Sequence, residues 1–288
     1  MWGSIACAKT LDYLMMGCPM TEAISTIIEA NCHRSGKPLN IPSLIGLARS
    51  VLMYYAIPFR IARMAKFYSQ FVRPGDLCFD LGAHAGNRIA AFLRIGARVV
   101  AAEPQPLFFD LLQRLYGKNL NVVLLDQAVG AAPGEAALHI SRRTPTVSTL
   151  SHQWADEVRR ARSFSGVTWD DSVRVRVTTL DTLVDQFGKP AFCKIDVEGF
   201  ELEVVRGLSQ PLNALSLEYM PAAPEIAVGC VDHLAALGDY EFNHSIGETH
   251  RFASPQWVTP SDTKAWLAAL PVDAPSGDLY ARLRGAGL

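Results

Sequence analysis

The sequence predicts an α/β fold built on a mostly parallel sheet with helices on both faces. Three observations carry that expectation. From Arg73 onward, short apolar runs of strand length alternate with segments of helical spacing. The first run, 77–81, leads through a glycine turn straight into a helix start. Two later runs end in carboxylates, at Glu103 and Asp196, and the strand C-terminal edge is where open α/β sheets bind ligands.

In order along the chain, residues 1–70 show helical spacing and no strand run, and read as a helical N-terminal extension. Over 59–71 the apolar positions 61, 64, 67, 68 and 71 recur at helical intervals. Arg73-Pro74-Gly75-Asp76 is a turn that launches strand 77–81. Helix 86–95, strand 98–103, helix 105–116 and strand 121–125 follow. The middle is less regular, with a strand at 136–140, a polar loop at 142–150 and a helix at 151–162. Residues 172–178 alternate valine and arginine, which gives a strand with one apolar and one charged face. Strand 191–196, helix 199–207 and strand 213–219 resume the parallel pattern. A helix over 223–237, a strand at 240–244 and a last strand near 278–283 complete it. The economical division is one catalytic domain over 71–288, carrying an insertion at 141–170.

Composition excludes some classes of function. The formal net charge is −1 with no long basic run, so nucleic acid is not an expected partner. Arg142, Arg143, Arg159, Arg160 and Arg162 read as a solvated face. The cysteines at 7, 18, 32, 78, 193 and 230 form no Cys-x-x-Cys pair, which indicates neither a zinc knuckle nor a disulfide framework. Cys78 and Cys193 fall in core strands as small apolar residues, and a reducing, cytoplasmic setting is expected. Residues 1–18 lack the basic start and clean apolar stretch of a signal peptide. The apolar run 41–59 is interrupted by Pro42 and bounded by Pro58, and is short for a membrane span. It reads as a buried packing helix, with a membrane-surface or homo-oligomer contact as the alternative.

The glycine turn carries the first chemistry. Asp80-Leu81-Gly82-Ala83-His84-Ala85-Gly86 has the spacing Asp-x-Gly-x-x-x-Gly, not the Gly-x-Gly-x-x-Gly of dinucleotide sites. It is the spacing of S-adenosyl-L-methionine (SAM) loops, with His84 where many such loops carry a middle glycine. Glu103, 23 residues beyond Asp80 at a strand end, is placed to accept hydrogen bonds from ribose hydroxyls. A nicotinamide cofactor would use such a residue too, so the glycine spacing makes the choice. Asp126 closes the third strand, where it would accept from an adenine amino group; the competing reading is a turn or cap residue. The most specific segment is Lys194-Ile195-Asp196-Val197-Glu198-Gly199-Phe200-Glu201, three carboxylates and a lysine at one strand end. First-turn helix charges would account for Glu198 and Glu201. They account less well for Lys194 and Asp196, which lie two apart and face the same way.

With these segments in view, the chain resembles the FkbM-type SAM-dependent methyltransferases. The resemblance rests on Phe79–Gly86, Ala102-Glu103-Pro104, Ala128-Val129-Gly130, Thr179-Leu180-Asp181-Thr182-Leu183, Lys194–Glu201, Leu217-Glu218 and Gly277-Asp278-Leu279-Tyr280-Ala281. It covers about 60–285; His84 stands where asparagine is common in the family. The resemblance implies a class I methyltransferase sheet of order 3-2-1-4-5-7-6 with an antiparallel last strand. It also implies O-methylation of a small-molecule, sugar or glycan hydroxyl.

The expected cofactor contacts are then Asp80, Gly82, Ala83, His84, Gly86, Glu103, Pro104, Asp126 and Gln127. Turn 82–86 would hold the methionine part, Glu103 the ribose and Asp126 the adenine. Asp196 is the first candidate to orient the acceptor hydroxyl or take its proton, followed by Glu198 and Glu218, with Lys194 in the same group. Asp196, Glu198 and Glu218 offer Mg²⁺ an oxygen site as an alternative. His139, His152, His233, His244 and His250 form no metal-spaced pair in sequence, and His152 is the best catalytic exception among them. The insertion, with Trp154, Trp169 and its arginines, is the expected seat of acceptor specificity. Two rival classes remain at this level, an NAD-dependent oxidoreductase and a non-catalytic binding module.

Overall fold

A computed structural model of the chain describes residues 59–159 and 164–285. Expectations for 1–58, including the run 41–58, and for Arg160 and Arg162 lie outside the described residues. Among the described residues no helix is long and apolar enough to cross a membrane.

The elements are α1 (Arg60–Tyr68), β1 (Leu77–Leu81), α2 (Asn87–Ile95), β2 (Arg98–Ala102), α3 (Pro106–Tyr116), β3 (Val122–Leu125), β4 (Gln127–Val129) and β5 (Gly134–Ile140). A short 3₁₀ turn (Pro145–Val147) leads to α4 (His152–Val158), β6 (Asp171–Thr178), α5 (Leu180–Phe187), β7 (Phe192–Ile195) and α6 (Glu201–Arg206). The chain continues through β8 (Ala214–Tyr219), α7 (Pro224–Leu237), β9 (Tyr240–Ile246), α8 (Pro260–Ala268) and β10 (Gly277–Leu283).

Seven strands form the main sheet in the order β3-β2-β1-β7-β8-β10-β9, with β10 antiparallel to both its neighbours. Counted by strand within this sheet, that is 3-2-1-4-5-7-6, as expected. Alternation along β1 shows how both faces are covered. Phe79 and Leu81 enter one core with α5, α6, α7 and α8, while Cys78 enters the other with α1, α2 and Leu112 of α3. Cys78 and Cys193 are fully buried free thiols, the packing role expected of them. An aromatic group of Phe67, Tyr68 and Phe71 against Phe192, Phe252 and Tyr280 seats α1 on the sheet.

The irregular middle is a second, three-stranded sheet, β4-β6-β5. The alternation in 172–178 is realised there. Val173, Val175 and Val177 join Ala128 and Leu138 in a small core, while Arg174 and Arg176 pair outward with Glu135 and Asp126. Two elements depart from the sequence expectation. Gln127–Val129, to which the sequence assigned no element, is a strand because it pairs in parallel with 176–178, a partner 49 residues away in register. Residues 260–268 form α8, whose weak amphipathicity (only Thr263 and Leu267 are buried) hid it. The Oγ1 of Thr259 accepts from the Asp262 N–H, and Pro260 opens the helix.

Candidate active site

The C-terminal edges of β1, β2, β7 and β8 converge on one group of carboxylates, beginning at the glycine turn. Gly82 and Gly86 both have φ +80°, and a Cβ on Gly82 would sit 1.8 Å from the Asp196 carbonyl oxygen. The β1–β7 pairing therefore leaves room only for glycine there. A Cβ on Gly86 would strike Leu112 and Tyr116 of α3 at 2.7 Å, and Tyr116 donates to the Gly86 carbonyl. His84, standing at the middle-glycine position, has φ +47°, the left-handed conformation that favours glycine or asparagine.

Glu103 is 2 % exposed, and its two oxygens accept the His84 and Gln105 N–H groups, each at 2.8 Å. Burial pushes its carboxyl up to about 7 against those two donors. Each oxygen keeps a second lone pair, so a ribose hydroxyl can still be accepted. A cleft at this point is lined by Gly82, His84, Glu103, Pro104, Gln127 and Asp196. Burial holds His84 down to about 4, so its ring is neutral at pH 7. Asp80 is fully buried and neither carboxylate oxygen has a hydrogen-bond partner. Burial raises it to about 6, against the attraction of Arg88 and Lys194. An orphaned anion beneath a glycine cradle fits a cofactor with a cationic end. Asp126 stands apart: its exposed carboxylate pairs with Arg176 at 2.5 Å, and Gln127 lines the cleft instead.

Lys194 is wholly buried beneath the group. Its Nζ lies 2.9 Å from Asp278 and 3.3 Å from Asp196, and it donates to the Ile195 carbonyl. Burial alone would depress its pKa, but Asp196 and Asp278 outweigh it and raise the ammonium above its usual range. Burial would likewise raise Asp196, yet Lys194 and Arg88 hold it down to about 2, so it is an anion throughout the physiological range. Glu198 and Glu218 behave oppositely. Burial first, then neighbouring carboxylates, drive both well above the usual range. One oxygen each from Asp196, Glu198 and Glu218 lies within 4.8 Å of the others.

The sequence did not single out Arg88, Glu248 and Asp278 for this site. Arg88 reaches Asp196 at 3.3 Å and Glu248 at 3.6 Å, and Glu248 also pairs with Arg60. A signal existed, because a cation in a helix's first turn opposes the dipole and calls for a carboxylate partner. Asp278 was equally marked as a charge inside an apolar strand.

Beyond the carboxylates lies a cavity of about 640 Å³, walled by Thr144, Val147, Phe164 and Val167 of the insertion and by Glu198, Glu218, Met220 and Asp273. A smaller space of about 110 Å³, lined by His84, Arg88, Asp196, Glu198 and Glu218, joins it to the cleft. The insertion thus supplies a wall of this cavity, but Trp154 and Trp169 do so only indirectly, from the core behind it. Trp154 lies over Gly199 so closely that a Cβ there would fall 2.0 Å from the indole. His139 and His152, unrelated by sequence spacing, pack as a tilted ring pair with centroids 3.7 Å apart, and neither lines the cavity.

Similarity to known proteins is clearest at the level of family. The model of the family described as "Methyltransferase FkbM domain" matches residues 80–256. A hexuronic acid methyltransferase, AglP, of Haloferax volcanii is 26% identical over 144 residues, 49% of this chain and 53% of that protein. The match therefore spans about half the length of that curated relative. Among solved structures, an O-methyltransferase from Bacillus cereus in complex with SAH aligns with a TM-score of 0.41 and 10% identity, covering 97% of both chains. A precorrin-6y C5,15-methyltransferase from Geobacter metallireducens aligns with a TM-score of 0.40 and 13% identity, over 78% of this chain and 87% of that one.

Proposed function

The chain belongs to the FkbM family of SAM-dependent methyltransferases, and from that premise we propose that it methylates a hydroxyl of a small-molecule or glycan acceptor held in the cavity beyond Asp196. One observation carries this reading. The cleft at Glu103 and the large cavity meet at a single carboxylate group, with Asp196 on the cleft side and Glu198 and Glu218 on the cavity side.

SAM, when bound, supplies a methyl group already activated by its sulfonium. The residues that would hold it are Asp80 and the turn 82–86, Glu103 with Pro104, and Gln127, with Asp126 adjoining. The chain's own tasks are to orient the acceptor oxygen and give its proton a destination. Asp196, anionic and braced by Lys194 and Arg88, suits the first task; at about 2 it is too weak a base for the second. Glu198 and Glu218, raised by burial and crowding, are the stronger bases when ionised. Lys194 acts through Asp196 as a positioning residue, since it is fully buried.

Two features support a sugar-like acceptor. A curated relative acts, by its name, on a hexuronic acid. The cavity wall mixes Phe164, Val167 and Met220 with hydrogen-bonding groups. Among the described residues the wall carries Glu198, Glu218 and Asp273 but no lysine or arginine, which favours an acceptor presenting an uncharged, hydroxyl-bearing face.

The test begins with thermal shifts in S-adenosylhomocysteine (SAH) and NADH in parallel. A ligand at about 100 times its Kd adds ~2.7 kcal/mol, several degrees for this chain. A shift with SAH alone, followed by transfer of labelled methyl from SAM to an alcohol or sugar acceptor, is the expected result. A shift with neither would bring the binding-module reading forward, and label found on nitrogen or carbon would replace the hydroxyl.

A further inference from the structure

We propose that Asp196, Glu198 and Glu218 form a binding site for a hard divalent cation of the Mg²⁺ or Mn²⁺ class, at the junction of the cofactor cleft and the acceptor cavity. The binding claim rests on the carboxylates alone; the cation's part in catalysis rests on the methyl-transfer reading above.

Geometry comes first. Oxygens on opposite sides of one such ion are separated by about 4–5 Å. One oxygen of each residue lies within 4.8 Å of the other two, so a single ion can reach all three after small side-chain adjustments. The three residues come from the end of β7, the turn after it and β8, and backbone pairing of β7 with β8 fixes their relative positions.

Independent of that spacing is the state of Glu198. It is 9 % exposed, lines both the large cavity and the joining space, and its carboxylate has neither a hydrogen bond nor an ion pair among the described residues. A buried carboxylate without a partner is costly, and folded proteins leave one chiefly where a ligand will meet it. The neighbouring cations do not fill that role. Lys194 is engaged by Asp278 and Asp196, and Arg88 by Asp196 and Glu248. The joining space of about 110 Å³ leaves room for an ion with bound water.

The cation would also settle a chemical difficulty. Burial and mutual repulsion raise both Glu198 and Glu218 above the usual carboxylate range, so ionising them together is costly without a counter-charge. A bound divalent ion holds them ionised and lowers the pKa of a hydroxyl that enters its coordination shell. The acceptor oxygen would form its bond to the methyl carbon as that carbon's bond to the SAM sulfur breaks and leaves SAH, while the acceptor proton would pass to Glu198 or Glu218 and from there to solvent after product leaves.

The experiment is a Mn²⁺ titration of the ligand-free full chain, followed by electron paramagnetic resonance of free Mn²⁺, with Mg²⁺ as competitor. Wild type, Glu198→Gln and Glu218→Gln are compared. One saturable site per chain is expected, weakened at least about tenfold in each variant. In EDTA neither variant should melt below wild type, because glutamine has no charge to desolvate there. Each should also lose the rise in Tm that Mg²⁺ gives wild type. Absence of saturable Mn²⁺ binding, or binding unchanged in both variants, would overturn the site. So would a carboxylate-dependent rise in Tm with SAM but not with SAH or Mg²⁺, which would assign the negative cluster to the sulfonium. SAH binding measured on the same samples separates the two readings. Mn²⁺ without SAH binding would leave this site standing and remove the methyltransferase role, and the converse would do the opposite.

Discussion

Replacing Glu103 with glutamine should stabilise the ligand-free protein at alkaline pH while weakening the cofactor. Glu103 is almost completely buried, and burial raises its carboxyl from 4.5 to about 7 although two amide donors oppose the shift. A carboxyl whose folded pKa is raised binds its proton more tightly in the native state, so stability falls as pH rises from about 4.5 through 7. At pH 8 the ionised side chain therefore costs up to ~3 kcal/mol relative to its neutral form. Glutamine resembles that neutral form. The variant should gain most of this at pH 8, roughly 5–10 °C in Tm, and almost none at pH 5. Binding should move the other way. Loss of a charged acceptor for ribose hydroxyls is worth about 1.5–3 kcal/mol, or ~10- to 100-fold in Kd for SAH. Urea denaturation at both pH values and calorimetric titration with SAH measure the two effects. A variant less stable than wild type at pH 8, or one with undiminished SAH affinity, would refute the assignment.

Further expectations concern the rest of the site. Asp196→Asn should lower kcat by about 10²-fold or more while the Kd for SAH stays within a few-fold, read by single-turnover transfer and titration; equal loss in both would remove Asp196 from the acceptor side. Gly82→Ala would drive a Cβ to 1.8 Å from the Asp196 carbonyl at φ +80°, so SAH binding should be abolished and Tm lowered. An alanine variant with wild-type Tm and affinity would show that the turn yields easily. For wild type, Glu103 and Glu201 are raised to about 7 and Asp80 to about 6, so stability should increase as pH falls from 8 to 6.5. Below 6.5 the curve should flatten. His84 and His250, lowered to about 4, bind protons more tightly when unfolded and oppose the gain. A urea midpoint that drops steadily from pH 8 to 6.5 would contradict the direction of these shifts.

Sequence alone determined what local chemistry determines. The Asp80–Gly86 turn, the strand-end Glu103 and the Lys194–Glu201 segment were legible because spacing, glycine and period-two alternation act within a few residues. They named the cofactor class, and the alternation of strands and helices gave the layered α/β class, with the family resemblance supplying the strand order. Tertiary structure decided what depends on distant partners. Gln127–Val129 became a strand only beside β6, and α8 formed on a capping signal with little apolar face. Asp126 was drawn outward to Arg176, while Arg88 and Asp278 were drawn in to brace Asp196 and Lys194. The same convergence set the carboxyls apart, holding Asp196 near 2 and leaving Glu198 buried without a partner. Charge and desolvation act through space, and the residues that set them in this site lie up to about 190 positions apart, from Arg88 to Asp278. A linear pattern can nominate a carboxylate, but only the fold determines its state of ionisation.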